Sequence, residues 1–139
     1  MKRRHFSILM ITGFLTLMTA LPATAEDKKD SGALTEEIYL TIPPYAVTMY
    51  HKGRPKGSMT IRASLRVVDN KKRAQAQKYM PRLSNAYLIE TNRLSHDYFD
   101  VNRPVSVAAL GDTLQIATNR VLGHEDAKLL ISDVSINKR

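Results

Sequence analysis

Four histidines, His5, His51, His96 and His124, are the side chains of this 139-residue sequence best suited to proton transfer or metal binding near neutral pH. A metal site needs ligands at short, fixed spacings, and none of the four stands at such a spacing from another. His96-Asp97 and His124-Glu125-Asp126 are acid–base fragments that read as solvated loop residues. Ser64, Ser84 and Ser95 lack the elbow context of an activated nucleophile, and Gly53 with Gly57 does not build a phosphate loop. The expectation is a non-enzyme with no catalytic residues, no metal and no cofactor.

Contact chemistry is what remains. Arg62 and Arg66 fall on the polar side of an alternating strand, and with Arg73, Lys78 and Arg82 on a following helix they would form one basic patch. The plainer alternative for these cations is a solvated face. Tyr39, Tyr45 and Tyr50, near an expected sheet edge, mark either a contact surface or ordinary sheet positions.

The elements that must position these residues follow from periodicity. Ile38, Leu40 and Ile42 alternate with polar neighbours as in a strand, Pro43-Pro44 then calls for an edge or a bend, and Tyr45 to Tyr50 resumes the extended run. Residues 51–57, rich in Gly and Pro, read as a hairpin loop. Met59, Ile61, Ala63, Leu65 and Val67 alternate with Thr60, Arg62, Ser64 and Arg66, the clearest strand of the chain. Asp69 or Asn70 caps the next element, although Lys71-Lys72-Arg73 opposes the helix dipole in its first turn. Ala76, Met80, Leu83 and Tyr87 share a helical face, so one helix bent at Pro81 is expected to about Thr91; a second helix starting at Pro81 is the alternative. Residues 95–102 read as a connector. Asn102 and Pro104 would open another helix carrying Val107, Leu110, Leu114, Ala117 and Val121, closed by Gly123. A last strand runs from Leu129 to Ile136 with Ser132-Asp133 interrupting it. The order ββααβ implies an α+β fold, a small antiparallel or mixed sheet with two amphipathic helices on one face.

Residues 1–25 set the expected compartment. Lys2, Arg3, Arg4 and His5 precede an apolar run from Phe6 to Leu21, and Pro22-Ala23-Thr24-Ala25 ends in the small-x-small pattern of a cleavage site. Sixteen residues at about 1.5 Å each span about 24 Å, short of the roughly 30 Å hydrocarbon core. A signal peptide cleaved after Ala25 is expected, with a short retained membrane anchor as the alternative; both export the rest to the periplasm. Residues 26–37 are polar and charged and read as a linker, leaving 38–139 as the domain. Of 21 basic residues three lie in the signal and all 13 acids lie beyond it, so the exported part carries +5. That balance suits an anionic membrane surface, an acidic wall polymer or an acidic protein; nucleic acid is not expected in that compartment.

Several segments, in order, resemble a known family. Tyr39 to Met49, with its Pro-aromatic pair, Met59 to Asp69, the Met80-Pro81-Arg82 segment within Gln77 to Leu88, Arg120-Val121-Leu122-Gly123 and the closing Leu130 to Ile136 are similar to the periplasmic domain of FliL, the flagellar basal-body-associated family. The resemblance implies a fold similar to stomatin-type (SPFH) domains and a non-enzymatic role in flagellar rotation and motility. It further implies partners among stator and basal-body proteins, and self-association through the sheet edge and the helix bearing Met80 to Tyr87. Family members have a full transmembrane helix and a longer linker, which this chain replaces by the short apolar run. The residues expected at contacts are Arg62, Arg66, Met80, Pro81, Arg82 and Tyr87. The alternative function is an unrelated periplasmic binding module for cell-wall polymer or anionic lipid.

Overall fold

The structure is a computed structural model that describes residues 38–139; the expected signal segment 1–25 and linker 26–37 lie outside the described residues. Strand β1 (Tyr39–His51) and strand β2 (Arg54–Val67) form an antiparallel hairpin. Its loop is only Lys52-Gly53, both at positive φ (50° and 74°), a tight turn whose twist matches that of the strands. The expected loop over 51–57 is therefore shortened: His51 joins β1 and Arg54 to Gly57 join β2. Between Ile42↔Ala63 and Tyr45↔Ile61, β1 carries one extra residue, so Pro43-Pro44 sits in a bulge. In the sheet order β1-β2-β3 this is an outer strand, where a proline costs no ladder donor.

Central β2 buries Met59, Ile61, Ala63, Leu65 and Val67 and exposes Arg62 and Arg66, as its alternation requires. Strand β3 (Ala127–Lys138) pairs antiparallel with it. Ser132 is the extra residue between the pairs Arg62↔Asp133 and Ala63↔Ile131, and its hydroxyl donates to Arg62 O at 3.0 Å. The expected interruption is thus a bulge inside a longer strand.

Two helices stand where one bent helix was expected. Helix α1 (Asn70–Lys78) is capped by Asp69, whose carboxylate accepts from the Lys72 N–H at 2.8 Å. Helix α2 (Met80–Asp97) begins with Pro81 in its first turn. Having no N–H, Pro81 cannot continue α1, whose last bond runs from Tyr79 N–H to Gln75 O at 3.0 Å. Beyond Thr91, α2 continues because Leu94 and Ser95 are buried on the same face, which shortens the expected 95–102 connector. Helix α3 (Val107–Leu122) is capped by Ser106, which accepts from Ala109 N–H at 3.3 Å; Asn102 and Pro104 lie in the connector instead. Gly123 closes α3 at φ 76°.

The protein is α+β, a three-stranded antiparallel sheet with α2 over β1 and α3 over β3 on one face, while α1 touches β2. The core lies between these layers, built from β2, Ile42, Val47 and Met49 of β1, and Leu83, Tyr87, Leu110 and Leu114 of the helices. Among the described residues no helix is long and apolar enough to cross a membrane.

Candidate interaction surfaces

The ionisable residues make pairs that tie segments together. His51 Nδ1 lies 2.8 Å from Asp100 Oδ2, joining the end of β1 to the α2–α3 connector, where Val101 N–H also donates to Tyr50 O at 3.1 Å. The Asp100 carboxylate is held below the usual range, first by the Asn102 N–H and then by His51. His96 Nδ1 is 2.9 Å from Asp97 Oδ1, its sequence neighbour. Asp126 pairs with Lys72 and stands 3.5 Å from His124 Nδ1; the hydrogen bond from Lys72 lowers its pKa. Among the described residues no three His, Cys, Asp or Glu side chains gather as a metal site.

The first turn of α2 exposes Pro81 and Arg82, while Met80 is half-buried against the core. The Arg82 guanidinium lies 5.5 Å from the Tyr79 ring centroid. Tyr87 is a correction, because it is fully buried and cannot be a contact residue. Its hydroxyl bonds Thr118 Oγ1 at 2.7 Å, and burial pushes its phenol up to about 12.

Arg82 instead marks the mouth of a groove of about 300 Å³ between α2 and α3. Ala86, Ala117 and Val121 form its floor, Ile89 stands on its wall at 57% exposure, and Arg82 and Arg120 line it with Glu90. Glu90 is already engaged, accepting from Arg93 at 2.8 and 3.0 Å and lying 3.5 Å from Arg120 Nη1. The groove is apolar below with cations around it. Ile89 is not among the expected contact residues and Arg120 enters the sequence reading only within the segment Arg120-Val121-Leu122-Gly123; the one signal for the groove is an apolar Ile89 lying off the buried stripe of α2.

Arg62 and Arg66 lie on the opposite face of the sheet, which no helix among the described residues covers. The expected single basic patch does not form, because the sheet and core separate these arginines from Arg82. Arg73 turns back to donate to Val67 O at 3.2 Å and to Asn70 Oδ1 at 2.6 Å. On the uncovered face Arg66 is directly opposite Lys128 of β3 and Tyr39 of β1. The tyrosines do not share a surface: Tyr39 faces outward, Tyr45 bonds Thr91 Oγ1 on α2 at 3.1 Å, and Tyr50 packs edge-on against His96 with centroids 5.3 Å apart.

Fold and surfaces together define a small α+β domain with a groove between α2 and α3 and a sheet face that carries Arg62, Arg66 and Lys128. No protein-family model matches the chain, and no curated protein matches it.

Proposed function

We propose that the chain is a non-enzymatic accessory protein of the flagellar basal body, exported to the periplasm and acting on stator or basal-body proteins through the groove between α2 and α3. One observation carries the reading. The Met80-Pro81-Arg82 segment that resembles FliL opens α2 as a separate helix and sets Arg82 at a groove with an apolar floor and a second cation, Arg120. Such a groove suits the apolar face of an acidic helix, whose carboxylates meet the two arginines while its side chains enter between α2 and α3.

The test is motility on soft agar. Deletion should reduce swimming or swarming, and a chain carrying Arg82→Glu and Arg120→Glu should fail to restore it while accumulating normally. A deletion strain that swims and swarms as the parent does refutes the reading. Intact mass of the exported protein distinguishes a start at Glu26 from a retained Met1.

A second reading, an unrelated periplasmic binding module, is favoured by the uncovered sheet face. Its cations lie apart from the groove and touch no acidic side chain among the described residues.

A further inference from the structure

We infer that the uncovered face of the sheet binds an acidic polysaccharide, an extended sugar polymer bearing carboxylate or phosphate groups. This gives the second reading above its surface and its ligand class, and the choice of a sugar polymer rests on the chain being exported.

Charge placement carries the inference. Arg66 and Lys128 are directly opposite in the β2–β3 ladder, so their Cβ atoms are about 5 Å apart, and like charges so placed repel. Both are exposed, and neither has an ion-pair partner among the described residues. Arg62, four residues along the same strand and about 13 Å away, is also unpaired although Asp133 is its cross-strand neighbour. At the far end of β2 the Arg139 N–H donates to Lys56 O at 2.8 Å, bringing two more exposed cations to the same strands. Arg62 opposite Asp133 alternates signs across the ladder as a solvated face does; Arg66 opposite Lys128 sets like charges together, at a cost that an external polyanion would relieve.

The rest of the face selects among polyanions. Between the cations stand hydroxyls, Thr41, Thr48, Ser58, Thr60, Ser64 and Ser135, which donate and accept hydrogen bonds as sugar hydroxyls do. Among the described residues Tyr39 is its one aromatic, too few for the stacking by which single-stranded nucleic acid is held. Tyr39 and Leu130 are its large side chains with apolar surface, and an interface with a protein needs an apolar core. A flexible chain can also follow the twist of the sheet, which a flat bilayer cannot.

The experiment passes the full chain, recovered from the host that produces it, over immobilised polygalacturonate and over neutral dextran at low salt. Binding to polygalacturonate alone is expected, lost as salt approaches about 0.5 M because exposed charges are screened. Arg66→Ser with Lys128→Ser should weaken it about tenfold and leave the urea midpoint at or above that of the parent, since the repulsion is relieved. Arg62→Ser should weaken it by a smaller factor. Lys78→Ser with Arg103→Ser, which removes the same charge from the helix side, should change it less than twofold. Equal losses in the two double variants, or no retention at low salt, overturn the inference. So does tighter binding to phosphatidylglycerol vesicles or to single-stranded DNA. Fractionation tests the export reading separately: an exported chain that fails to bind rejects this inference alone, and a chain that stays inside the cell rejects the sugar polymer as its partner.

Discussion

The buried pair Tyr87–Thr118 offers a test in which the order of two effects matters more than their size. Thr118 Oγ1 donates its single hydrogen to Leu114 O at 2.8 Å, so the Tyr87 O–H must be the donor in the 2.7 Å bond between the two side chains. Both residues have no exposed surface. Thr118→Val keeps the shape but leaves a buried O–H with no acceptor, which costs about 1–3 kcal/mol. Tyr87→Phe removes the donor and leaves Thr118 with its bond to Leu114, costing about 0.5–1.5 kcal/mol. The double variant has no stranded donor, so it should cost less than the sum, with a coupling of roughly 1 kcal/mol. Urea unfolding followed by circular dichroism gives the four midpoints, and unchanged slopes would license the comparison. If Thr118→Val is no worse than Tyr87→Phe, or if the two costs simply add, the assignment of donor and acceptor is wrong.

Stability should also fall in strong base. Burial raises the Tyr87 pKa to about 12 from the ordinary phenol value of 10.0 and raises that of Tyr45 as well, so the folded state holds these protons more tightly than the unfolded state. Their contribution is complete below about pH 10 and is lost as pH rises towards 12; urea midpoints read across that window should drop, and Tyr87→Phe should soften the drop. Two glycines should respond with opposite signs to alanine. A Cβ at Gly57 would overlap the Asn137 carbonyl and lie 3.1 Å from Val101 Cγ2, so Gly57→Ala should cost about 1–3 kcal/mol; Gly111, inside α3, meets only Ile131 Cδ1 at 3.8 Å, and Gly111→Ala should gain roughly 0.5–1 kcal/mol, both read from thermal unfolding. Asp69→Ala removes the cap of α1 and should cost about 1 kcal/mol, while Asp69→Asn should recover most of it in the same assay.

Where periodicity and burial coincide, the sequence was readable. β2 alternates over its buried positions because one face meets the helices and the other meets water, and Gly123 announces the end of α3 because a left-handed residue is needed there. Errors fall where polar residues occupy buried positions or where a local signal has two outcomes. Thr91 and Ser95 lie on the inner face of α2, the latter donating to Thr48 O, so the apolar stripe in the sequence stops a full turn before the helix does. Pro81 allows both a kink and a new first turn, and only the packing of α2 on the sheet decides between them. For the contact surfaces, residue type was readable and neighbourhood was not. Arg62, Arg66 and Arg82 carry the same charge, yet the register of β2 against β3 gives Arg66 the partner Lys128, and the α2–α3 crossing gives Arg82 the partner Arg120.

Cations placed against local preference separate into two kinds once their neighbours are known. Lys71-Lys72-Arg73 opens α1 against its dipole, which would be unfavourable if left alone. Two of the three are compensated: Lys72 pairs with Asp126, and Arg73 donates to Val67 O and Asn70 Oδ1, fastening α1 to the end of β2. Those charges hold the fold together. Arg66 and Lys128 break the corresponding rule for strands, and neither makes an ion pair among the described residues. A local cost that no described residue offsets is the kind that binding can explain. Lys72→Ala should therefore lower stability, whereas Arg66→Ser should not. Equal losses of urea midpoint in the two variants would overturn that distinction.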